Sequence, residues 1–406
     1  MAVQIDVPRR RTQFLLFCIA ASFFVLASCD DSEPTSEAIP SSLTQPAILN
    51  LYPVQATTES PPRLFIFVSS VGSQPVQLPV AFDTGSAGVT LNALSIFPST
   101  MVTPTGFIFP QGQTSMSFEG ITVTNEQGTR SYGGSTGKTE IGNIGYATVT
   151  LGDGSASLTT TVMPLFLYYA VQVNDTDYQA APQTQQGWLG VNDAPDLIDI
   201  PGSTEPLSGY AACSANSVGS CYVVSALKYV DFSPDLDAGF MLNPSPLQTC
   251  DILTPGSCAP TPMLTIGLTA PLKDGFSTIQ LTCPPANYNG PTTIAQYAVC
   301  SQFIPTTTVT ISDPLIAVLL DENVLFDTGN PAVVLYRSSS SLPSPLPAGT
   351  SVLVTLPSGF SYRYTASATG IAETTISSNT SSGIGINYFI TNSFFIDFSS
   401  STEGWN

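Results

Sequence analysis

An all-β protein built as two lobes is predicted, and three observations carry that expectation. The chain scatters 34 Pro and 31 Gly along its length while only 10% of its residues are charged, the composition of short strands separated by turns. Its 406 residues exceed one ordinary domain. The third observation is a repeat. Val80-Ala81-Phe82-Asp83-Thr84-Gly85-Ser86 returns 244 residues later as Val324-Leu325-Phe326-Asp327-Thr328-Gly329-Asn330, each copy behind an apolar run.

The first 29 residues read as an address. Arg9, Arg10 and Arg11 precede an apolar stretch from Phe14 to Val25, which ends in Leu26-Ala27-Ser28-Cys29. This pattern predicts a bacterial lipoprotein signal with cleavage before Cys29 and lipid on its thiol. A plain transmembrane anchor is the rival reading, although the run is short for a span of about 20 residues. Asp30 and Asp31 resemble an inner-membrane retention signal. Residues 30–49, rich in Ser, Thr, Glu and Pro, are expected to form a flexible tether. An N-terminal lobe over 50–262 and a C-terminal lobe over 263–406 follow. The expected location is the bacterial cell envelope, with the protein lipid-anchored to a membrane and facing the periplasm or exterior.

Histidine is absent from the chain, which argues against Ser-His-Asp and Cys-His hydrolases and against most zinc sites. No metal or cofactor is expected. The net charge of −19 becomes −21 once residues 1–28 remove three Arg and one Asp. Such a surface repels polyanions, so nucleic acid is excluded as a partner. Beyond Cys18 and Cys29, six cysteines remain: Cys213, Cys221, Cys250, Cys258, Cys283 and Cys300. An even count in an exported chain suggests disulfides rather than a metal cluster. Six cysteines allow 15 connectivities, of which proximity favours sequential pairing.

The repeated turn has a chemical rationale. Arg63 to Ser70 and Val76 to Phe82 read as a hairpin feeding Asp83, and Ile316 to Leu320 and Asn323 to Phe326 repeat it around Asp321-Glu322. An Asp at a turn tip projects from the end of a sheet, and Gly85 or Gly329 permits a tight turn and close approach of a substrate. Thr84 and Thr328 carry hydroxyls able to bond across and pin the turns together. Two carboxyls brought within reach, Asp83 and Asp327, cannot both ionise and hold one proton between them. Such a pair activates a water and protonates a carbonyl without histidine or metal.

These two Asp-Thr-Gly turns resemble those of the pepsin-like aspartic proteases. The resemblance implies a bilobal acid protease fold of two β-barrel-like lobes around a cleft, with Asp83 and Asp327 catalytic. It implies a monomer that cleaves polypeptides as an endopeptidase. Gly187-Trp188-Leu189-Gly190-Val191 looks like the family's element that packs through the first catalytic loop. Gly383-Ile384-Gly385-Ile386-Asn387-Tyr388-Phe389, Phe394 to Phe398 and Gly404-Trp405 resemble its closing strands. Ser131-Tyr132-Gly133-Gly134-Ser135-Thr136-Gly137 looks like a flap, with Tyr132 and Gly133 over substrate. Ser86 and Asn330 occupy the positions that support the dyad.

Three departures stand out. Thr90 replaces a Trp that supports the flap tyrosine, and Asn330-Pro331 replaces a pair of small hydroxyl residues. The third is length, since Asp327 to Gly385 spans 58 residues against 107 from Asp83 to Gly190. They keep open a catalytically silent binding or inhibitory lipoprotein of the same fold. A β-sandwich adhesion lipoprotein with coincidental turns is the third reading.

Overall fold

The computed structural model describes residues 42–55, 61–132, 137–173, 177–184, 186–204, 206–313, 316–337, 342–378 and 381–406. Cys29 and its leader, and Gly133, expected in the flap, lie outside the described residues.

The predicted first hairpin is present. Arg63–Val71 pairs antiparallel with Gln74–Asp83, with Phe65 opposite Ala81 and Val68 opposite Leu78. Leu64, Ile66 and Val68 are fully buried while Phe65 and Phe67 on the other face are not, the period-2 alternation of a half-buried strand. Gly72 turns the chain at φ +56°, where a side chain would be strained. The chain continues through Ala87–Asn92, the long hairpin Ile121–Tyr132 and Lys138–Ala147, and Met163–Val173. Gly187–Val191 then threads back between two of these strands. It runs parallel to Gln74–Asp83, with Gly190 opposite Asp83, and antiparallel to Ala87–Asn92.

The second lobe repeats that device in a seven-stranded sheet. Ser382–Ile384 runs parallel to Ile316–Phe326, with Ile384 opposite Phe326, and antiparallel to Val333–Tyr336. One expectation is corrected here. Asp321 and Glu322 do not form a turn; Ile316–Phe326 is one continuous strand, antiparallel to Ile304–Asp313 with Asp321 opposite Thr308 and Glu322 opposite Thr307. Buried Glu322 is tolerated in that strand because its carboxylate accepts a hydrogen bond from Ser382 Oγ at 3.1 Å.

A six-stranded sheet joins the lobes in the order Ala47–Val54, Thr261–Leu268, Asp237–Leu242, Phe394–Asp397, Thr402–Trp405 and Ser277–Gln280. Its first strand starts at Ala47, and Leu43 exchanges backbone hydrogen bonds with Asp231 and Ser233, so ordered chain reaches into the stretch 30–49 expected as tether. Pro262, where the sequence suggested the lobe boundary, lies inside the second strand of this shared sheet. The six cysteines pair sequentially as Cys213–Cys221, Cys250–Cys258 and Cys283–Cys300.

A row of buried rings ties this sheet to both turns. Phe82, just before Asp83, meets Phe240 at 5.6 Å between centroids; Phe240 meets Phe394 at 6.3 Å; Phe394 meets Phe326, just before Asp327, at 6.4 Å. Phe240 and Phe394 belong to adjacent strands of the shared sheet, so each turn rests on the same aromatic support. Phe240→Ala should destabilise the protein by about 3–5 kcal/mol, read as a lowered urea midpoint. Leu207→Ser, at a fully exposed position, should change stability by less than about 0.5 kcal/mol.

Candidate active site

Both Asp-Thr-Gly turns sit at strand ends: Asp83 closes Gln74–Asp83, and Asp327 follows Ile316–Phe326. The two threonines hold them together. Thr84 N–H donates to Thr328 Oγ1 at 3.0 Å, and Thr328 N–H donates to Thr84 Oγ1 at 2.9 Å. Each hydroxyl then donates to the carbonyl before the opposing Asp, Thr84 Oγ1 to Phe326 at 2.8 Å and Thr328 Oγ1 to Phe82 at 2.6 Å. All four groups are buried, so none has water as an alternative partner.

This clasp brings the carboxyls into contact. A Cβ on Gly85 would collide with the Asp327 carboxyl, and one on Gly329 with Asp83 Oδ1; the glycines make room for the opposing Asp. Asp327 hydrogen-bonds Asp83. Burial, the neighbouring Asp83 charge and that hydrogen bond push the Asp327 carboxyl well above the usual carboxylate range, opposed by Arg63 and the Gly329 N–H.

Support for the two carboxyls is unequal. Asp83 accepts from Gly85 N–H at 2.8 Å and from Ser86 Oγ at 2.7 Å. Asp327 accepts from Gly329 N–H at 2.7 Å. The side chain of Asn330 makes no hydrogen bond with Asp327; its Oδ1 accepts from Ala332 N–H at 3.3 Å. Ser86 thus donates to Asp83, whereas the Asn330 side chain makes no corresponding bond to Asp327. The first turn is braced further by Asn192 Nδ2, which donates to the Thr84 carbonyl at 2.5 Å.

Tyr132 is held over this end of the molecule despite the missing Trp. Its hydroxyl lies 3.2 Å from Thr90 Oγ1, and its ring stacks on Trp188 at 5.1 Å. Thr90 and Trp188 together supply the support. The flap strands pair as far as Tyr132 opposite Lys138.

Several residues here were not anticipated. Arg63 lies over the Trp188 ring at 5.3 Å and feels the charge of both Asp83 and Asp327. Arg130 lies over the Tyr132 ring at 5.3 Å and pairs with Asp196 at 2.7 Å. Lys138 pairs with fully buried Glu140 at 2.7 Å. The irregularity between Val68 and Ser70 shifts the hairpin register so that continuing the pairing past Phe65 and Ala81 sets Arg63 opposite Asp83, a shift that the sequence does not announce.

Among solved structures, the aspartic proteinase from Irpex lacteus superposes with a TM-score of 0.51, covering 89% of this chain and 96% of that chain at 13% sequence identity. The chain has the pepsin-like aspartic proteinase fold. No protein-family model matches the sequence, and a search of characterised proteins finds no match either. Within that fold, the paired threonines and paired carboxyls of this chain occupy the meeting point of its two lobes.

Thr328→Val would leave the Thr84 N–H and the Phe82 carbonyl buried without partners, costing about 1–3 kcal/mol for each. Chemical denaturation should show the Thr84→Val/Thr328→Val double variant losing less than the sum of the singles, because one broken half releases the other. Asp327 binds its proton more tightly in the folded chain than in the unfolded one. Its contribution is thus fully present below the ordinary carboxyl range near ~4 and is lost as pH rises through the raised folded value. Asp327→Asn should accordingly stabilise the protein more at pH 7 than at pH 4, seen as a melting-temperature gain that grows with pH.

Proposed function

We propose that the protein is an aspartic endopeptidase acting through Asp83 and Asp327. The observation that carries this reading is the contact of two desolvated carboxyls, one of them held well above its usual range, at the join of two lobes. Asp327 carries the shared proton. Asp83, with its Ser86 and Gly85 donors, serves as the carboxylate that takes a proton from an attacking water. Asp327 gives its proton to the carbonyl oxygen of the scissile peptide. The tetrahedral intermediate then collapses as the leaving amine takes a proton, with no covalent bond to the enzyme. Tyr132 and the flap strands cover an extended peptide, whose backbone meets strand edges.

The catalytic state needs one proton on the pair. Activity therefore rises as the pair loses its first proton and declines as it loses its second, values that belong to the pair. The reading extends to a lipid anchor at Cys29, which would hold a monomeric enzyme at a bacterial envelope membrane; the leader sequence supports this. The soluble form lacking residues 1–29, incubated with an unfolded protein from pH 2.5 to 7, should cleave best in acid. Asp83→Asn and Asp327→Asn should each lower the rate about 10²–10⁴-fold or more, and a statine-type inhibitor should block it. A folded wild-type protein inert throughout this range would instead favour the silent binding module.

A further inference from the structure

The chain carries 10 basic residues against 29 acidic ones, yet three of the basic residues meet at the root of the flap. Arg130 and Lys138 are neutralised there by Asp196 and Glu140. Arg63 is not. Among the described residues no carboxylate makes ion-pair contact with it, and its Nη1 is buried without a hydrogen-bond partner. Trp188, on which it stacks, also keeps a buried Nε1–H with no acceptor, as does Arg130 Nη1.

Three unpaired N–H donors beside a dyad are an unusual arrangement, because a buried donor without an acceptor is costly. Burial lowers the Arg63 guanidinium from its ordinary value while the charges of Asp83 and Asp327 oppose the shift; arginine stays cationic in either case. The Arg63 and Trp188 side chains are each half-buried, so part of each stays open on the side of the dyad charges that Arg63 feels. Resting on the protease reading, we propose that Arg63 and Trp188 select an acidic side chain at one fixed position beside the scissile bond. The carboxylate oxygens would accept from Arg63 Nη1 and Trp188 Nε1, replacing missing partners with charge-assisted hydrogen bonds. The rest of the acidic surface repels such a substrate, so the preference is local to Arg63.

The test uses otherwise identical peptides with Glu, Gln or Lys placed in turn at each position flanking the cleaved bond. Product formation gives kcat/KM for the wild type, and fluorescence titration gives binding to the wild type and to Asp83→Asn. At pH 5.5 one position should favour Glu over Gln roughly 10-fold or more, in cleavage and in binding. That ratio should fall to within about 2-fold in Arg63→Gln and fade below pH ~4 as the substrate Glu protonates. Equal handling of Glu and Gln at every position overturns the proposal, as does a preference that survives Arg63→Gln. Cleavage without a Glu preference removes the selection and leaves the protease. Glu-selective binding without cleavage removes the protease and leaves the selection, and neither binding nor cleavage removes both.

Discussion

The four hydrogen bonds that Thr84 and Thr328 make across the two turns, two to each other and two to the Phe326 and Phe82 carbonyls, are the constraint on which the site depends. Two carboxyls do not approach one another unaided, since burial and like charge both oppose it. The clasp imposes that approach from outside the carboxyls. Each threonine uses its hydroxyl as acceptor for one N–H and donor to one carbonyl, so its bonding capacity is spent across the lobe boundary. Phe82 and Phe326 supply both the carbonyls that receive these bonds and the rings that rest on Phe240 and Phe394. Shared sheet, aromatic row and threonine clasp thus form one mechanical unit, and the carboxyls sit where its two halves meet.

Electrostatics then separates the two carboxyls. The environment of Asp327 is dominated by burial and by Asp83, and Arg63 moderates it. Arg63 also couples the dyad to the flap side, because Trp188 lies beneath its guanidinium and Tyr132 stacks on the same indole. A substitution at Trp188 would therefore disturb flap position and the cation beside the dyad together, and its effects would not divide cleanly between binding and chemistry.

The legible parts of the sequence were those where one residue type has one local job. Gly85 and Gly329 are needed because the opposing Asp fills the space of a side chain, and the paired Asp-Thr-Gly turns reveal themselves by repetition. A run of β-forming residues made Arg63 to Ser70 readable as a strand. Asp321-Glu322 was misread because a charged pair resembles a turn, whereas the strand that accommodates it depends on Ser382, 60 residues away. The side-chain contacts of Arg63, Trp188 and Lys138 escaped for the same reason. Their roles arise from rings and charges assembled by different strands, which neither periodicity nor spacing records.

The same distinction bears on Asn330. Judged from the sequence, losing the hydroxyl donor beside the second Asp weakens the case for catalysis. In the folded chain the loss falls on Asp327, the carboxyl that burial and Asp83 hold well above its usual range. A second donor to Asp327 would stabilise its ionised form and work against the burial that raises it, while Asp83, the carboxylate of the proposed mechanism, retains Ser86. Under the proposed mechanism, unequal donor sets suit the two carboxyls to different tasks before any substrate arrives. A dyad supported identically on both sides would have to break that symmetry through the substrate. In the proposed mechanism the protein does so itself, so the Asn330 departure is compatible with turnover and marks Asp327 as the acid.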